Sequence, residues 1–299
     1  MKRSLTLALA LAAALPFTAA AHKQWLLPSS TVVAGNDVWV TVDAAVSNQL
    51  YYPDFVAVRL DNVTAIGPDG AAVPLQNTST GKTRSVFDLE LKQPGTYRIA
   101  NVNSGLSARW GERRGPGGGE GGKPEMGKGA PAKGEGAPEA PPAGNQDSGF
   151  LRNATVQDLA TKIPKNAKNL EVSETIGRVE TFVTNGEPTQ IKLTNQGLEL
   201  LPVTQPNDLF TGEPAKFKLL VDGKPKGGLE VQIVRGATRY RNAQDEQKVT
   251  TDANGEFTVS WQDPGMYWLS ASTTDTKTSV KQATQRRLSY VATLEVLPQ

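Results

Sequence analysis

Apolar residues return at every second position in several short stretches of this chain. Val38, Val40 and Val42 alternate with Trp39 and Thr41, which is the period of a strand with one buried face. The same alternation recurs at Phe217–Leu219, Leu229–Ile233 and Tyr290–Val296. Turn-forming clusters separate these runs: Gly67-Pro68-Asp69-Gly70, Asp222-Gly223 and Asp252-Ala253-Asn254-Gly255. Only one segment invites a helix, with Thr155 placed to cap Val156–Lys162 and Pro164 to end it.

Two of the strand patterns repeat a longer template. Phe87 to Ile99 reads FDLELKQPGTYRI and Phe257 to Leu269 reads FTVSWQDPGMYWL. Each places an aromatic, apolar residues two and four positions on, then Pro-Gly, then a tyrosine (Tyr97, Tyr267). That spacing predicts a strand, a tight turn and a second strand opened by a Tyr whose ring packs inward while its hydroxyl reaches a backbone group. Short strands with frequent turns favour antiparallel sandwiches. The expected fold is therefore all-β, with two immunoglobulin-like or transthyretin-like β-sandwich domains.

Composition divides the chain. Residues 1–21 hold Lys2 and Arg3, a mostly apolar run from Leu5 to Leu15, and Ala19-Ala20-Ala21, the features of a secretory signal peptide. Cleavage after Ala21 is expected to leave His22 as the first mature residue. From Gly111 to Ser148 the chain turns to Gly, Pro, Ala, Lys and Glu, with Met126 as its only large apolar residue. So little apolar surface cannot offset the entropy of ordering, and a disordered Gly/Pro-rich linker is expected. The predicted organisation is a signal peptide (1–21), an N-terminal sandwich (22–110), the linker (111–148), a connecting segment completing the N-terminal domain (149–196), and a C-terminal sandwich (197–299).

No later segment approaches the roughly 20 apolar residues of a membrane-spanning helix, so the mature chain is not expected to be embedded in the bilayer. A formal net charge of +2 gives no electrostatic case for nucleic acid. Cysteine is absent, which excludes thiolate chemistry, disulfides and lipidation at a lipobox. The single histidine, His22, lies at the expected mature terminus, so a proton-relaying triad is not expected. Acidic residues are expected mainly at strand edges, turns and the linker, with no pair standing out for glycosidase chemistry. The chain is read as a binding protein, not an enzyme.

Three features are candidates for binding. A terminal His22 offers its amine and imidazole to one divalent transition metal, nickel or copper. The run Tyr51-Tyr52-Pro53-Asp54-Phe55 is an aromatic cluster suited to stacking on a sugar or lining a groove, with Tyr51, Tyr52 and Asp54 as the ligand-binding candidates. Arg235, Arg239 and Arg241 with Tyr240 form either a basic patch or a solvated strand face. Asp252–Glu256 superficially resembles a calcium loop but lacks its spacing and flanking helices, and is read as a hairpin turn.

Ala21–Pro28, the loop Asp43–Asp54 and the segment from Leu200 through Asp208 to Pro225 resemble the DUF4198 family of periplasmic proteins, often labelled nickel uptake or transport accessory proteins. The C-terminal part also resembles carboxypeptidase-regulatory-like or Cna B-type modules, through Gly228–Val231 and Thr251–Phe257. The family resemblance implies an immunoglobulin-like β fold, a periplasmic location and delivery of a transition metal to a membrane transporter; of the ligands, only His22 carries over. The alternative expectation is a module that holds a surface polysaccharide or protein partner without metal.

Overall fold

In the computed structural model, which describes residues 22–111 and 149–299, buried and more exposed side chains alternate in outer strands such as Ser85–Glu90 and Glu256–Ser260, whereas residues 178–185 at the centre are buried at every position. The expected signal peptide, and all of the expected linker except Gly111, lie outside the described residues. The first strands are β1 (Lys23–Pro28), β2 (Val32–Val33), β3 (Trp39–Ser47), β4 (Val56–Ala57), β5 (Val63–Ile66), β6 (Ala72–Val73), β7 (Gln76–Thr80), β8 (Ser85–Glu90) and β9 (Gly95–Trp110). Then come β10 (Gly149–Ala154), helix α1 (Val156–Lys162) and β11 (Glu171–Asn185). The last are β12 (Leu198–Pro202), β13 (Pro214–Val221), β14 (Lys224–Pro225), β15 (Glu230–Arg235), β16 (Gln247–Thr250), β17 (Glu256–Ser260), β18 (Gly265–Asp275) and β19 (Gln285–Val296).

These strands form three sheets among the described residues. An N-terminal outer sheet has the order β1-β3-β8-β7, with β4 also on β3, and a C-terminal outer sheet has the order β12-β13-β14, with β17 also on β13. A long common sheet runs β16-β15-β18-β19-β11-β9-β5-β6. Its centre is unusual in one respect: β11 pairs antiparallel with β9 along its whole length and parallel with β19. One sheet therefore serves both halves of the chain.

Strand periodicity decides which face each half covers. Val179 and Val183 of β11 pack with Phe87, Leu89, Tyr97 and Ile99 in the N-terminal core. Phe182, on the same strand, packs with Phe217, Phe257, Trp261 and Tyr290 in the C-terminal core. Successive side chains of a strand point to opposite faces, so the two outer sheets cover opposite faces of the common sheet. The protein is all-β and built as two immunoglobulin-like sandwiches.

The repeated template has a more specific meaning than a hairpin. In both halves the Pro-Gly step carries the chain out of an outer sheet, from β8 or β17, into the common sheet at β9 or β18. Gly95 and Gly265 take matching φ values of 132° and 136°, a region that favours glycine. Tyr97 Oη donates to the Gln93 carbonyl at 2.9 Å, and Tyr267 Oη to the Asp263 carbonyl at 2.7 Å. Each is a tyrosine corner, in which the ring is held in the core and the hydroxyl fixes the bend four residues back.

Local signals read from the sequence recur in detail. Thr155 Oγ1 accepts from the Asp158 amide at 3.1 Å while Asp158 Oδ2 accepts from the Thr155 amide at 2.8 Å, a capping box that starts α1. Asp222 and Gly223 adopt φ values of 50° and 75° in the turn between β13 and β14. Asp252 Oδ1 accepts from the amides of Asn254 and Glu256, each at 2.8 Å, so this carboxylate closes a turn.

Candidate functional site

The amino-terminal strand ties the two halves together. Trp25 is fully buried and its Nε1 donates to Ser47 Oγ at 2.8 Å. Trp268 of β18 donates from Nε1 to the Gln24 carbonyl at 3.1 Å. Lys23 Nζ donates to Gln244 Oε1 at 3.0 Å and lies 5.6 Å from the centre of the Trp268 ring; burial there pushes its ammonium below the usual lysine range. Thr31 Oγ1 hydrogen-bonds Glu295 of β19.

His22 precedes this strand and is exposed. Its imidazole stacks on Phe55 with centroids 3.8 Å apart and planes 13° apart. Phe55 closes the loop after β3, which Asp54 braces by accepting the Asn48 amide at 2.8 Å. Tyr51 turns inward in the left-handed region, at φ 60°, edge-on to Trp25 with centroids 5.7 Å apart. Its buried hydroxyl faces Thr293 Oγ1 without closing a well-formed hydrogen bond, and burial pushes the phenol well above its ordinary value. Tyr52 turns outward instead, with the Arg239 guanidinium 4.2 Å from its ring centre. Beside it Tyr240 is 84% exposed.

The structure thus joins candidates that are far apart in sequence. His22, Phe55, Tyr52, Arg239 and Tyr240 gather on one exposed loop pair, whereas Tyr51 packs beneath it against Trp25 and the exposed Asp54 braces the loop after β3. The other two arginines are occupied: Arg235 pairs with Asp263 at 3.3 Å, and Arg241 Nη2 donates to the carbonyls of Arg235 and Gln244 at 2.8 and 3.1 Å. Among the described residues no group of three His, Cys, Asp or Glu side chains converges as a metal site.

Buried acidic residues within strands depart from the expectation that carboxylates lie mainly at edges and turns. Glu180 of β11 and Glu199 of β12 are 2% and 1% exposed. Arg98 Nη2 contacts Glu180 Oε1 at 3.0 Å and Glu199 Oε1 at 3.1 Å, and Arg178 Nη1 meets Glu180 at 3.2 Å. Burial raises the Glu199 carboxyl, but hydrogen bonds from Thr194 and the charges of Arg178 and Arg98 more than offset it, holding the acid below its usual range. This network was invisible in the sequence because a buried Glu sits on the same alternating positions as an apolar residue and is read as solvent-facing.

A depression adjoins His22. It has a volume of about 260 Å³ and opens on the outer surface of β9, β11 and β19, with Trp268 as a wall.

Fold and surface together define an all-β double sandwich with an aromatic and cationic loop pair at the seam between its halves. The chain belongs to the DUF4198 family: the model of this domain of unknown function matches residues 19–275. No curated protein matches it. Among solved structures, the D0-D1 domain of Intimin aligns over 90% of this chain and 96% of that chain at 10% identity, with a TM-score of 0.20, a superposition too poor to bear on fold or function. No helix among the described residues is long and apolar enough to cross a membrane.

Proposed function

We propose that this chain is an exported, non-catalytic binding protein of the periplasm that holds a surface polysaccharide against its aromatic loop pair. The observation that carries the reading is the Arg239–Tyr52 stack at 4.2 Å beside the exposed Tyr240. Aromatic faces held rigid at the surface lose little entropy on binding, and a stacked guanidinium adds fixed hydrogen-bond donors. Export is supported by the signal features of residues 1–21. A non-catalytic role is supported by the commitment of the buried Glu180 and Glu199 to arginines. The test is retention of the processed protein on immobilised cell-surface polysaccharide. Joint Tyr52→Ala and Tyr240→Ala substitution should weaken retention about tenfold, and chelator should change nothing. Undiminished retention by the variant, or loss on chelation, would overturn the reading.

One observation favours a second reading, delivery of nickel or copper to a membrane transporter. The His22 imidazole is pinned on Phe55, where cleavage after Ala21 would free its α-amine for a terminal chelate. Calorimetric titration of the processed protein with nickel and with copper, beside His22→Ala, separates the cases. Binding lost in the variant supports this reading, and equal binding or none removes it.

A further inference from the structure

The depression beside His22 is built differently from the aromatic ridge. Gly177 of β11 lies in register with Asn103 of β9 on one side and Ser289 of β19 on the other. Gly105, opposite Thr175, is the next small position on the same face. Three central strands thus present two glycines on one face, and the absent side chains open the floor. A Cβ at 177 would approach Ser289 Oγ to 3.1 Å, and one at 105 would approach Asn153 Cα to 3.3 Å. Asn153 itself takes φ 49° where the pairing of β10 with β9 shifts register; such bulges re-aim a side chain.

The rim offers neutral hydrogen-bonding groups. Asn103 Oδ1 accepts from Asn62 at 2.9 Å, and its side-chain amide nitrogen donates to no acceptor among the described residues. The side chains of Asn153, Thr175 and Ser289, which line the depression, make no hydrogen bond among the described residues. Arg178 also borders it, but its guanidinium points to the opposite face, toward Glu180 and Thr194. No other lysine, arginine or acid lines the depression. Its aromatic sides are His22, stacked on Phe55, and Trp268, fixed through Gln24. A volume of about 260 Å³ falls just below the roughly 300–1,000 Å³ of drug-sized ligand sites.

From this juxtaposition we infer that the depression is a subsite for one neutral sugar ring, the residue of a polysaccharide that enters past the Tyr52–Tyr240 ridge. Uncharged amides and hydroxyls match sugar hydroxyls, aromatic walls match the ring's C–H faces, and no lysine or arginine side chain among the described residues points into the depression to pair with a phosphate or a carboxylated sugar. The inference rests on the polysaccharide reading proposed above and specifies the ring that reading would seat.

Binding of short oligosaccharides of glucose, galactose and N-acetylglucosamine, beside uronic-acid oligosaccharides, tests it on the processed full chain by calorimetry. Asn153→Gly keeps the left-handed backbone and removes the amide, Ser289→Phe fills the depression from an exposed position, and Tyr52→Ala with Tyr240→Ala strips the ridge. Unchanged thermal midpoints establish that each variant is folded. The expected result is a neutral oligosaccharide whose affinity drops about fivefold to tenfold in Asn153→Gly and disappears in Ser289→Phe. If a glycan binds through the ridge but the two depression variants bind it normally, or if only uronic-acid chains bind, the subsite is wrong while the polysaccharide reading survives. Binding of none of these oligosaccharides by a protein that is still retained on cell-surface polysaccharide also removes the subsite alone. Absence of both removes the two together.

Discussion

Arg98, Arg178, Glu180 and Glu199 bring balanced charge into buried positions, and the energetics of each residue there depend on its partners. Arg98 Nη1 also donates to the Lys192 carbonyl at 2.8 Å, and Thr194 donates to Glu199 from both its amide and its hydroxyl, so the remaining polar atoms are largely satisfied. Removing one member of such a set leaves uncompensated buried charge, which costs about 3–5 kcal/mol. Glu199→Gln should therefore lower unfolding free energy by about 3 kcal/mol in urea titration. Asp61→Asn, breaking an Arg59 pair whose side chains are 88% and 68% exposed, should cost less than about 1 kcal/mol. Equal costs at the two sites would contradict the buried-network account. The same residue scale explains what could be read in advance at the candidate site. Tyr52, Arg239 and Tyr240 stand out by type alone, but nothing local tells that residue 52 meets residue 239. Nor does type separate Tyr52, which faces out, from Tyr51, which a left-handed backbone turns in.

Between elements, the legible features are those whose cause is local. Capping of α1 by Thr155, the turn at Asp222-Gly223 and the two Pro-Gly-x-Tyr segments each depend on residues within a few positions, and each forms as the pattern implies. What the pattern does not contain is that Pro-Gly passes between sheets, because that depends on where the next strand finds its partner. A long-range contact of this kind is the clamp at Arg286. Its guanidinium reaches Asp222 Oδ2 in the β13–β14 turn at 2.7 Å and Asp275 Oδ2 at the end of β18 at 2.6 Å. Hydrogen bonds from Arg286 hold both carboxyls below their ordinary value of 3.8. A depressed folded-state value means that the stabilisation is complete above the unfolded value and is lost as pH falls through the folded ones. The thermal midpoint should accordingly drop as pH is lowered below about 4. Arg286→Met should start from a lower midpoint at pH 7 and fall less steeply in acid. Parallel acid profiles for the two proteins would show that the clamp contributes nothing to the pH dependence.

At the scale of the whole molecule, β11 decides whether two sandwiches behave as two domains or one. The sequence pattern implies two sandwich domains joined by a linker, since each half has its own alternating strands and its own Pro-Gly-x-Tyr segment, and it leaves their arrangement open. In the folded chain β11 instead pairs with β9 of one half and β19 of the other and contributes Val179 and Val183 to one core and Phe182 to the other. β1 adds a second tie through Gln24 and Trp268. Parallel pairing of strands so distant in sequence leaves no local signature, which is why this join was not legible. It has a thermodynamic consequence: neither half can lose its core while keeping an intact common sheet. Phe182→Ala removes a side chain 1% exposed in the C-terminal core and should cost about 3–5 kcal/mol. If the halves were separate domains, that loss would appear only in probes of the C-terminal half. With β11 shared, guanidinium unfolding followed at Trp261, in the C-terminal core, and at Trp39, in the N-terminal outer sheet, should shift to the same lower midpoint in single-tryptophan variants. Two separated midpoints, with the Trp39 transition unmoved by Phe182→Ala, would mean that the common sheet comes apart at the β11–β19 seam and that the halves are energetically independent.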